Sequence, residues 1–497
     1  MVVLDIILDN AIRFKFDPVQ HLVLAKTIIA DTTLPNPEFV RRQRLGMYLG
    51  GTPATLKFRT YDKKTMETVL PRGYWDKLLY LLDRLAIEFD TSDFRVTGTP
   101  RAVCDYPGAN LSLREYQIPA VAALANNSGG VLVAGCGSGK TVCGLELVQR
   151  IHLRALWITH TKDLAEQTVT QAQEKLGLES REIGWLCGGK KPSTGRNFTI
   201  ALVQSLARNW DNYSEEFGDL GTRFGLVILD ECHHCPAVSF QIIGRFSALY
   251  RYGLTATPDR ADGLGPVVNL YLGPVRYTIP PAAVAAEGGT VVPKLITIKY
   301  GGRNTAWDEH AKLRVQYSQG KIKHKPRLDY NRLIDAVIAD DKRNAMLVQT
   351  IGQTSLGHTS LVLSERVHHC MVLRDRLTIN FPGLRCAIIH GNQPQDHRDR
   401  ALRATRAGEI DVLLAVNIAK EGLDIPRLDR LHLVAGGRNE SELKQKIGRI
   451  MRPAPGKTNA TVYDYVDENV GVLLNQYYAR RRVYQALRML DVTKKAG

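Results

Sequence analysis

The stretch Ala134-Gly135-Cys136-Gly137-Ser138-Gly139-Lys140-Thr141 follows a short apolar run and opens a helical pattern that begins at Val142. Its glycines allow the backbone to wrap closely round an anion, and the start of the helix adds partial positive charge there. In such a loop the lysine reaches the β- and γ-phosphates of a nucleotide, and the hydroxyl after it binds Mg²⁺. The alternative is a glycine-rich turn that binds no ligand. We predict a nucleotide phosphate site formed by Gly135, Gly137, Ser138, Gly139, Lys140 and Thr141.

An acidic pair follows another apolar run further along the chain. Asp230-Glu231-Cys232-His233 comes directly after Leu226–Leu229. In a parallel sheet this places both carboxylates at the carboxyl edge, where ligands bind in open α/β folds. We expect Asp230 to hold Mg²⁺, largely through water, and Glu231 to orient and deprotonate the attacking water.

The cluster Cys232-His233-His234-Cys235 invites comparison with a zinc site. Neighbouring side chains of an extended backbone point in opposite directions, so four adjacent ligands cannot close one tetrahedral site. We therefore expect Mg²⁺ but no zinc.

Short apolar runs alternate with helical patterns through most of the chain, which predicts parallel sheets covered by helices. The runs form two groups: Val131–Ala134, Ala155–Thr159, Phe198–Val203, Leu226–Leu229 and Gly253–Thr255, then Ser360–Leu363, Cys386–Ile389, Val412–Val416, Leu431–Val434 and Thr461–Val466. The predicted fold class is α/β, with two tandem domains at 106–289 and 331–497. A small α+β domain at 1–105 precedes them. Residues 290–330, with the basic run Lys321–Arg327, are interpreted as a linker with a basic insertion, and a C-terminal helix is expected after Val470.

The charge of the chain favours an anionic partner. The 497 residues carry a net charge of +16, and nucleic acid is the common partner of such a protein. A diffuse basic surface that only keeps the protein in solution is the alternative. Eight scattered cysteines fit a reducing intracellular compartment, and the acidic residues in the first apolar run argue against a signal peptide or membrane span.

The motifs of the first α/β domain resemble those of superfamily 2 helicases. The matching stretches are Leu113–Gln117, Thr159–Gln167, Val203–Leu206 and Thr255–Pro258, beside the phosphate loop and the acidic pair. The resemblance implies that Arg114 and Gln117 bind the nucleotide, with the glutamine on its base. It also places His233 in the catalytic set. The strand-contacting residues that it implies here are Thr159, His160, Thr161 and Gln204.

The second α/β domain carries the rest of the resemblance, in Ser364–Arg366, His390-Gly391, Val416–Pro426 and Gln445–Arg452. It implies strand contacts from Arg366, His390 and Asn417, and nucleotide contacts from Gly422, Asp424 and Gln445. Arg449 and Arg452 would reach the γ-phosphate. Three residues apart, they would share one face of a helix, and a guanidinium can neutralise charge on a transferring phosphoryl group. The alternative is a pair of solvated surface arginines.

Within this superfamily the chain looks most like the XPB and UvsW-type DNA-remodelling motors. The resemblance implies two RecA-like domains that use ATP and Mg²⁺ and move 3′ to 5′ along a strand. We expect an ATP-dependent DNA helicase or translocase that acts on forked or branched DNA. The alternatives are an RNA helicase of the same superfamily and an ATP-driven nucleic-acid-binding switch that unwinds nothing. We further expect a monomeric, cytoplasmic protein without membrane association.

Overall fold

The computed structural model describes residues 3–17, 20–98, 104, 106, 108–135, 137–189, 191–195, 197–234, 237–256, 263–324, 326–416, 425–435, 437, 440–487, 489 and 491–495. The chain forms two compact units, Met1–Val284 and Ala285–Gly497. Among the described helices, none has the length and apolar character needed to cross a membrane.

The first unit begins with a small α+β region, as predicted. Its elements are β1 (Leu4–Leu8), β2 (Ala11–Phe14), α1 (Leu22–Asp31), β3 (Thr33–Pro35), α2 (Pro37–Leu45), β4 (Thr55–Lys57), β5 (Thr60–Asp62), β6 (Glu67–Pro71), α3 (Trp75–Arg84) and β7 (Phe89–Asp93). Five strands form one sheet in the order β5-β6-β2-β1-β7, and β3 pairs with β4. Leu4, Ile6 and Leu8 of β1 are buried and alternate with more exposed residues, because successive side chains of a strand point to opposite faces.

A seven-stranded parallel sheet makes up the rest of the first unit. Its elements are α4 (Ile118–Ala125), β8 (Gly129–Ala134), α5 (Lys140–Ile151), β9 (Ala155–Thr159), α6 (Lys162–Leu176), β10 (Ile183–Leu186), β11 (Phe198–Leu202), α7 (Val203–Phe217), α8 (Leu220–Arg223), β12 (Leu226–Asp230), α9 (Ala237–Ile243), β13 (Tyr250–Thr255), α10 (Gly265–Leu272), β14 (Val275–Ile279) and α11 (Pro281–Ala286). The strand order is β10-β11-β9-β12-β13-β8-β14. Hydrophobic clusters cover both faces, which explains the uninterrupted apolar runs. The carboxyl ends of β8, β9, β11, β12 and β13 meet at one edge, so the motifs that follow them converge there.

The second unit contains another seven-stranded parallel sheet. Its elements are β15 (Lys294–Tyr300), α12 (Thr305–Ser318), α13 (Tyr330–Ile338), α14 (Asp341–Ser355), β16 (Ser360–Ser364), α15 (Val367–Asn380), β17 (Cys386–His390), α16 (Gln395–Ala407), β18 (Val412–Val416), β19 (Arg430–Leu433), α17 (Glu440–Ile450), β20 (Thr461–Asp467), α18 (Gly471–Ala486) and β21 (Asp491–Lys495). The strand order is β17-β18-β16-β19-β20-β15-β21. The predicted α/β class with two tandem parallel sheets is confirmed, and α18 is the expected C-terminal helix.

The segment 290–330, which we interpreted as a linker, includes a strand of the second parallel sheet. Lys294–Tyr300 is the strand β15, which pairs with β20 on one side and β21 on the other. Its Leu295 and Ile298 are buried. Thr305–Ser318 then forms α12, a helix without buried residues, and Lys321 and Lys323 of the basic run are exposed. Only the later part of 290–330 therefore has a linker's solvated character.

A buried ion pair stabilises the C-terminal helix against its sheet. Asp464 of β20 accepts hydrogen bonds from Arg480 Nη2 at 2.8 Å and from the Tyr484 hydroxyl at 2.6 Å. The Asp464 and Arg480 side chains are only 0% and 6% exposed. Burial alone would lower the pKa of Arg480, but Asp464 raises it above its ordinary value.

We expect Asp464→Asn to lower the free energy of unfolding of the second unit by about 3–5 kcal/mol, because Arg480 loses its counter-charge inside the protein. The matched control is Asp411→Asn, whose partner Arg385 is 55% exposed, and which should cost about 1 kcal/mol or less. Urea unfolding followed by circular dichroism measures both. Equal midpoints for the two variants would contradict the assignment of stability to the buried pair.

Candidate functional site

The predicted phosphate loop, residues 134–141, connects β8 to α5 in the first unit. Lys140 is the first residue of α5, and Gly137 and Gly139 have φ angles of 80° and 75°. A Cβ atom at Gly139 would lie 2.3 Å from Nε2 of Gln117. The positive φ therefore favours glycine there, and a larger residue would also displace the Gln117 amide. The Ser138 hydroxyl donates to the Gly135 carbonyl oxygen at 2.6 Å, which closes the loop, while Cys136 lies outside the described residues.

Gln117 supports this loop from the side. Its Nε2 donates to the Ser138 carbonyl oxygen at 2.8 Å, and its Oε1 accepts from the Arg114 amide at 2.9 Å. The side chain is buried. The sequence suggested contact with a base but not this positioning role. A sequence signal for it is weak, because the partner lies 21 residues away along the chain.

The structure brings Lys140 and the acidic pair together. Lys140 Nζ lies 3.3 Å from Glu231 Oε1, and His233 Nδ1 lies 3.4 Å from Glu231 Oε2. His233 Nδ1 is also 2.7 Å from the Thr255 hydroxyl, which connects the ends of β12 and β13. Glu231 adopts a φ of 46°, a backbone conformation that costs about 1–3 kcal/mol for a residue other than glycine and that concentrates at functional sites.

The Asp230 carboxyl is buried next to Glu231. Burial raises its pKa to about 7, the charge of Glu231 adds to this shift, and Lys140 opposes it. A divalent cation would stabilise the ionised form, because it neutralises the repulsion between the two carboxylates. Thr141 is half-buried at the start of α5. Carboxylate and hydroxyl oxygens are the ligands that Mg²⁺ prefers, so this donor set fits the ion. Cys235 lies outside the described residues, so the cluster considered for zinc is described only in part.

The candidate strand-binding residues of the first unit follow β9 and β11. Register pairs Leu202 with Thr159 at the ends of these strands, and Gln204 Nε2 donates to the His160 carbonyl oxygen at 3.1 Å. Gln204 is exposed and His160 half-buried. Thr159 is buried, and Thr161 caps α6 by accepting from the Leu164 amide at 3.3 Å. Gln204 and His160 therefore have the accessible groups, whereas both threonines already serve the local fold.

Two candidate strand-binding residues of the second unit, Arg366 and His390, lie at the carboxyl edge of its sheet. Register pairs Val416 with Ser364 and with His390, so Arg366 and His390 belong to the same edge. Arg366 Nη2 donates to Asn331 Oδ1 at 2.7 Å. Three other predicted residues of the second unit, Asn417, Gly422 and Asp424, lie outside the described residues.

The arginine motif falls on and just beyond α17. Gln445 and Arg449 are half-buried and four residues apart, on the face opposite the buried Leu443 and Ile447. The expectation that both arginines share a helix face is wrong, because α17 ends at Ile450 and Arg452 lies in the turn after it.

Lys457 stabilises that turn, and sequence reasoning missed it. Its ammonium group donates to the carbonyl oxygens of Pro426, Leu428 and Arg452, at 2.9, 2.5 and 2.8 Å. Burial lowers the pKa of Lys457 to about 8. A lysine among Pro and Gly residues carries no sequence pattern that would have indicated this role.

The phosphate loop, the acidic pair and the tandem parallel sheets define a nucleotide-binding protein with two RecA-like domains. Residues 110–260 match the family described as "Type III restriction enzyme, res subunit", and residues 342–454 match "Helicase conserved C-terminal domain". The chain belongs to the superfamily 2 helicases.

Two curated relatives are similar over most of the chain. A "Putative ATP-dependent RNA helicase" of Acanthamoeba polyphaga mimivirus is 27% identical over 73% of this chain and 64% of its own length. The "DNA 3'-5' translocase XPB2" of Sulfurisphaera tokodaii is 26% identical over 69% of this chain and 79% of its own length. The chain thus covers slightly less than two thirds of the first relative.

A solved structure, "ATP-dependent Type ISP restriction-modification enzyme LlaBIII bound to DNA", shares the fold. It has a TM-score of 0.55 and 15% identity, and the match covers 84% of this chain and 34% of that one.

Proposed function

We propose that this protein is an ATP-dependent DNA helicase or translocase that acts on forked or branched DNA. The observation that carries the proposal is the cluster of Lys140, Glu231, His233 and Thr255 at the carboxyl edge of the first parallel sheet. This cluster joins a phosphate-binding residue to a general base and to the end of a neighbouring strand.

ATP with Mg²⁺ supplies the transferable phosphoryl group and the charge of the metal. Lys140 would exchange its contact with Glu231 for the β- and γ-phosphates. The Glu231 carboxylate would then accept a proton from the attacking water, while Asp230 and Thr141 would hold the metal. Arg449 and Arg452 would neutralise charge on the transferring group.

The strand contacts would be made mainly to the nucleic-acid backbone. Gln204 and His160 in the first unit, and Arg366 and His390 in the second, are the proposed contacts. Backbone contacts carry no sequence information, and their affinity falls steeply with salt. The net charge of +16 supports such an interaction.

An RNA helicase is the second candidate, because one relative bears that name. The deciding experiment measures the ATPase rate with single-stranded, duplex, forked and four-way DNA, and with RNA of the same sequences. We expect DNA to stimulate hydrolysis more than RNA. Stronger stimulation by RNA would exclude the DNA proposal, and a strand-displacement assay would separate a motor from a switch.

Preference for forks would require a binding surface outside the two motor domains, and α2 of the N-terminal region offers one. Its Arg41 and Arg44 are exposed. We expect Arg41→Gln/Arg44→Gln to lower fork-stimulated ATPase about tenfold while single-strand stimulation changes less than about twofold. The reason is that these two arginines would contact phosphates of the duplex arms, which a single strand lacks. The matched control is Arg150→Gln/Arg181→Gln, two exposed arginines of the same unit. Equal losses on both substrates would exclude a fork-reading role for α2.

A further inference from the structure

A polar cavity of about 260 Å³ lies between the N-terminal sheet and the first parallel sheet. It is at the amino end of β8, whereas the phosphate loop follows the carboxyl end of the same strand. The six residues of β8 separate the two places by roughly 17 Å. The cavity is thus distinct from the nucleotide site. Its polar lining includes Arg72, Arg95, Arg276, Asp76, Asn127 and Ser128.

Two of these arginines already have carboxylate partners. Arg95 pairs with Asp93 at 2.6 Å and donates to the Ser128 hydroxyl at 2.7 Å. Arg276 pairs with Asp76 at 2.8 Å. Their side chains are 14% and 19% exposed. Both guanidinium groups therefore remain partly accessible beside the cavity.

The third arginine of the lining is Arg72, and Arg251 is a buried arginine near it that does not line the cavity. Arg72 donates to the Ala248 carbonyl oxygen, and Arg251 donates to the carbonyl oxygens of Asn10 and Ile243 at 2.6 and 3.3 Å. Their exposed fractions are only 6% and 1%. Throughout the described ranges, neither has a carboxylate within ion-pair distance. Arg72 Nη2 and Arg251 Nε are also buried without an acceptor.

A buried charge without a counter-charge is unfavourable, because the guanidinium group loses its hydration on burial. Burial lowers the pKa of Arg72 well below its usual range, and the charges of Arg251 and Arg95 lower it further. Burial likewise lowers the pKa of Arg251 to about 9, with Asp9 opposing and Arg95 adding to the shift. An anion in the cavity would relieve the repulsion between Arg72 and Arg95, which both line it.

We propose that this cavity binds a phosphate-type oxyanion. Arg95 and Arg276 would contact the oxyanion through their guanidinium groups, and Ser128 through its hydroxyl. The positive charge of the buried Arg72 would stabilise it further. Guanidinium groups match the geometry and charge of phosphate oxygens. The phosphate belongs either to a free phosphate compound or to a nucleic-acid backbone.

The walls of the cavity are held in place without the anion. Gly73, which lines it, packs so closely on α10 that a Cβ atom there would lie 2.3 Å from the Asn269 carbonyl oxygen. Binding to a preformed site is favoured, because little free energy is lost in ordering the lining residues. Because the lining residues come from both sheets, a bound oxyanion would also join the N-terminal region more firmly to the ATP-binding domain.

Titration calorimetry with inorganic phosphate tests the proposal. Potassium phosphate is titrated at constant ionic strength, set with potassium chloride, into full-length Lys140→Ala protein so that the phosphate loop contributes less. We expect one phosphate site, with affinity reduced about tenfold or more by adding Arg95→Gln, since a charge-assisted hydrogen bond is lost. The matched control is Arg150→Gln, which also breaks an arginine–carboxylate pair of 2.6 Å in the same unit. If Arg95→Gln does not fold, Arg276→Gln replaces it.

Phosphate that binds no better than chloride would overturn the proposal, and so would equal phosphate affinity in the Arg95→Gln and Arg150→Gln variants. A second measurement identifies the source of the phosphate. Weaker duplex DNA binding in Arg95→Gln than in Arg150→Gln, with competition by free phosphate, assigns the site to the nucleic-acid backbone. Equal DNA binding with selective loss of inorganic phosphate assigns it to a free phosphate compound.

Discussion

Replacement of Lys140 with alanine is expected to lower the ATPase rate by about 10²–10³-fold or more, because the variant loses a fixed positive charge aimed at the reacting phosphates. The same change removes the ion pair with Glu231 at 3.3 Å. Lys140 also opposes the rise in the pKa of Asp230, so its loss should favour the protonated acid near neutral pH and weaken Mg²⁺ binding. Nucleic-acid binding should remain, since Lys140 is not among the strand-binding candidates.

Steady-state ATPase assays and fluorescence-anisotropy measurements of DNA binding test this expectation. Lys299→Ala is the matched control, because Lys299 belongs to the second unit, where it pairs with Glu468 at 2.6 Å. Circular dichroism establishes that both variants are folded. A folded Lys140→Ala protein with a near wild-type ATPase rate would disprove the assignment of the phosphate site.

The sequence was most informative where local spacing determines the chemistry. The phosphate loop needs glycines, a lysine and a hydroxyl within eight consecutive residues, and the acidic pair needs only the end of a buried strand. In the structure both patterns lie at the carboxyl edge of the first parallel sheet, because parallel strands bring their carboxyl ends to one edge. The same logic predicted both parallel sheets from their apolar runs.

The features that the sequence concealed depend on partners distant along the chain. Lys294–Tyr300 reads as part of a polar linker because its lysines and threonine interrupt the apolar residues, yet it pairs with β20, more than 160 residues later. The contacts of Lys457 and Gln117 with backbone carbonyl groups leave no trace in residue type. Arg72 and Arg251 likewise look like surface residues, but each is buried in a contact between the N-terminal region and the ATP-binding domain, Arg72 with Ala248 and Arg251 with Asn10. Tertiary burial decides each of these cases.

The end of α17 at Ile450 shows why the spacing of Arg449 and Arg452 did not predict their placement. Residues three apart share a face only while the helix continues, and the chain leaves α17 before Arg452. Arg449 is held on the helix beside Gln445, whereas the backbone of Arg452 is held by Lys457. The two arginines are thus positioned by different means, and their proposed roles can be separated by experiment.

We expect Arg449→Ala to lower the turnover number by about 10³-fold or more while ATP affinity changes less than about tenfold, because an arginine that acts on the transferring phosphoryl group stabilises mainly the transition state. Arg449 is the stronger candidate for this test, since its helix fixes its direction. Single-turnover hydrolysis and equilibrium binding of ATP to the same protein measure the two quantities separately. The control is Arg374→Ala, an arginine paired with Asp375 at 2.7 Å on the surface of the second unit, which should leave both quantities unchanged.

Arg452→Ala should resemble Arg449→Ala if both guanidinium groups contact the phosphate. Lys457→Met should then reproduce part of the Arg452→Ala defect, because it releases the turn that holds that residue. Strong weakening of ATP binding by Arg449→Ala, with turnover preserved, would instead make this arginine a ground-state contact and leave hydrolysis to the residues of the first unit alone.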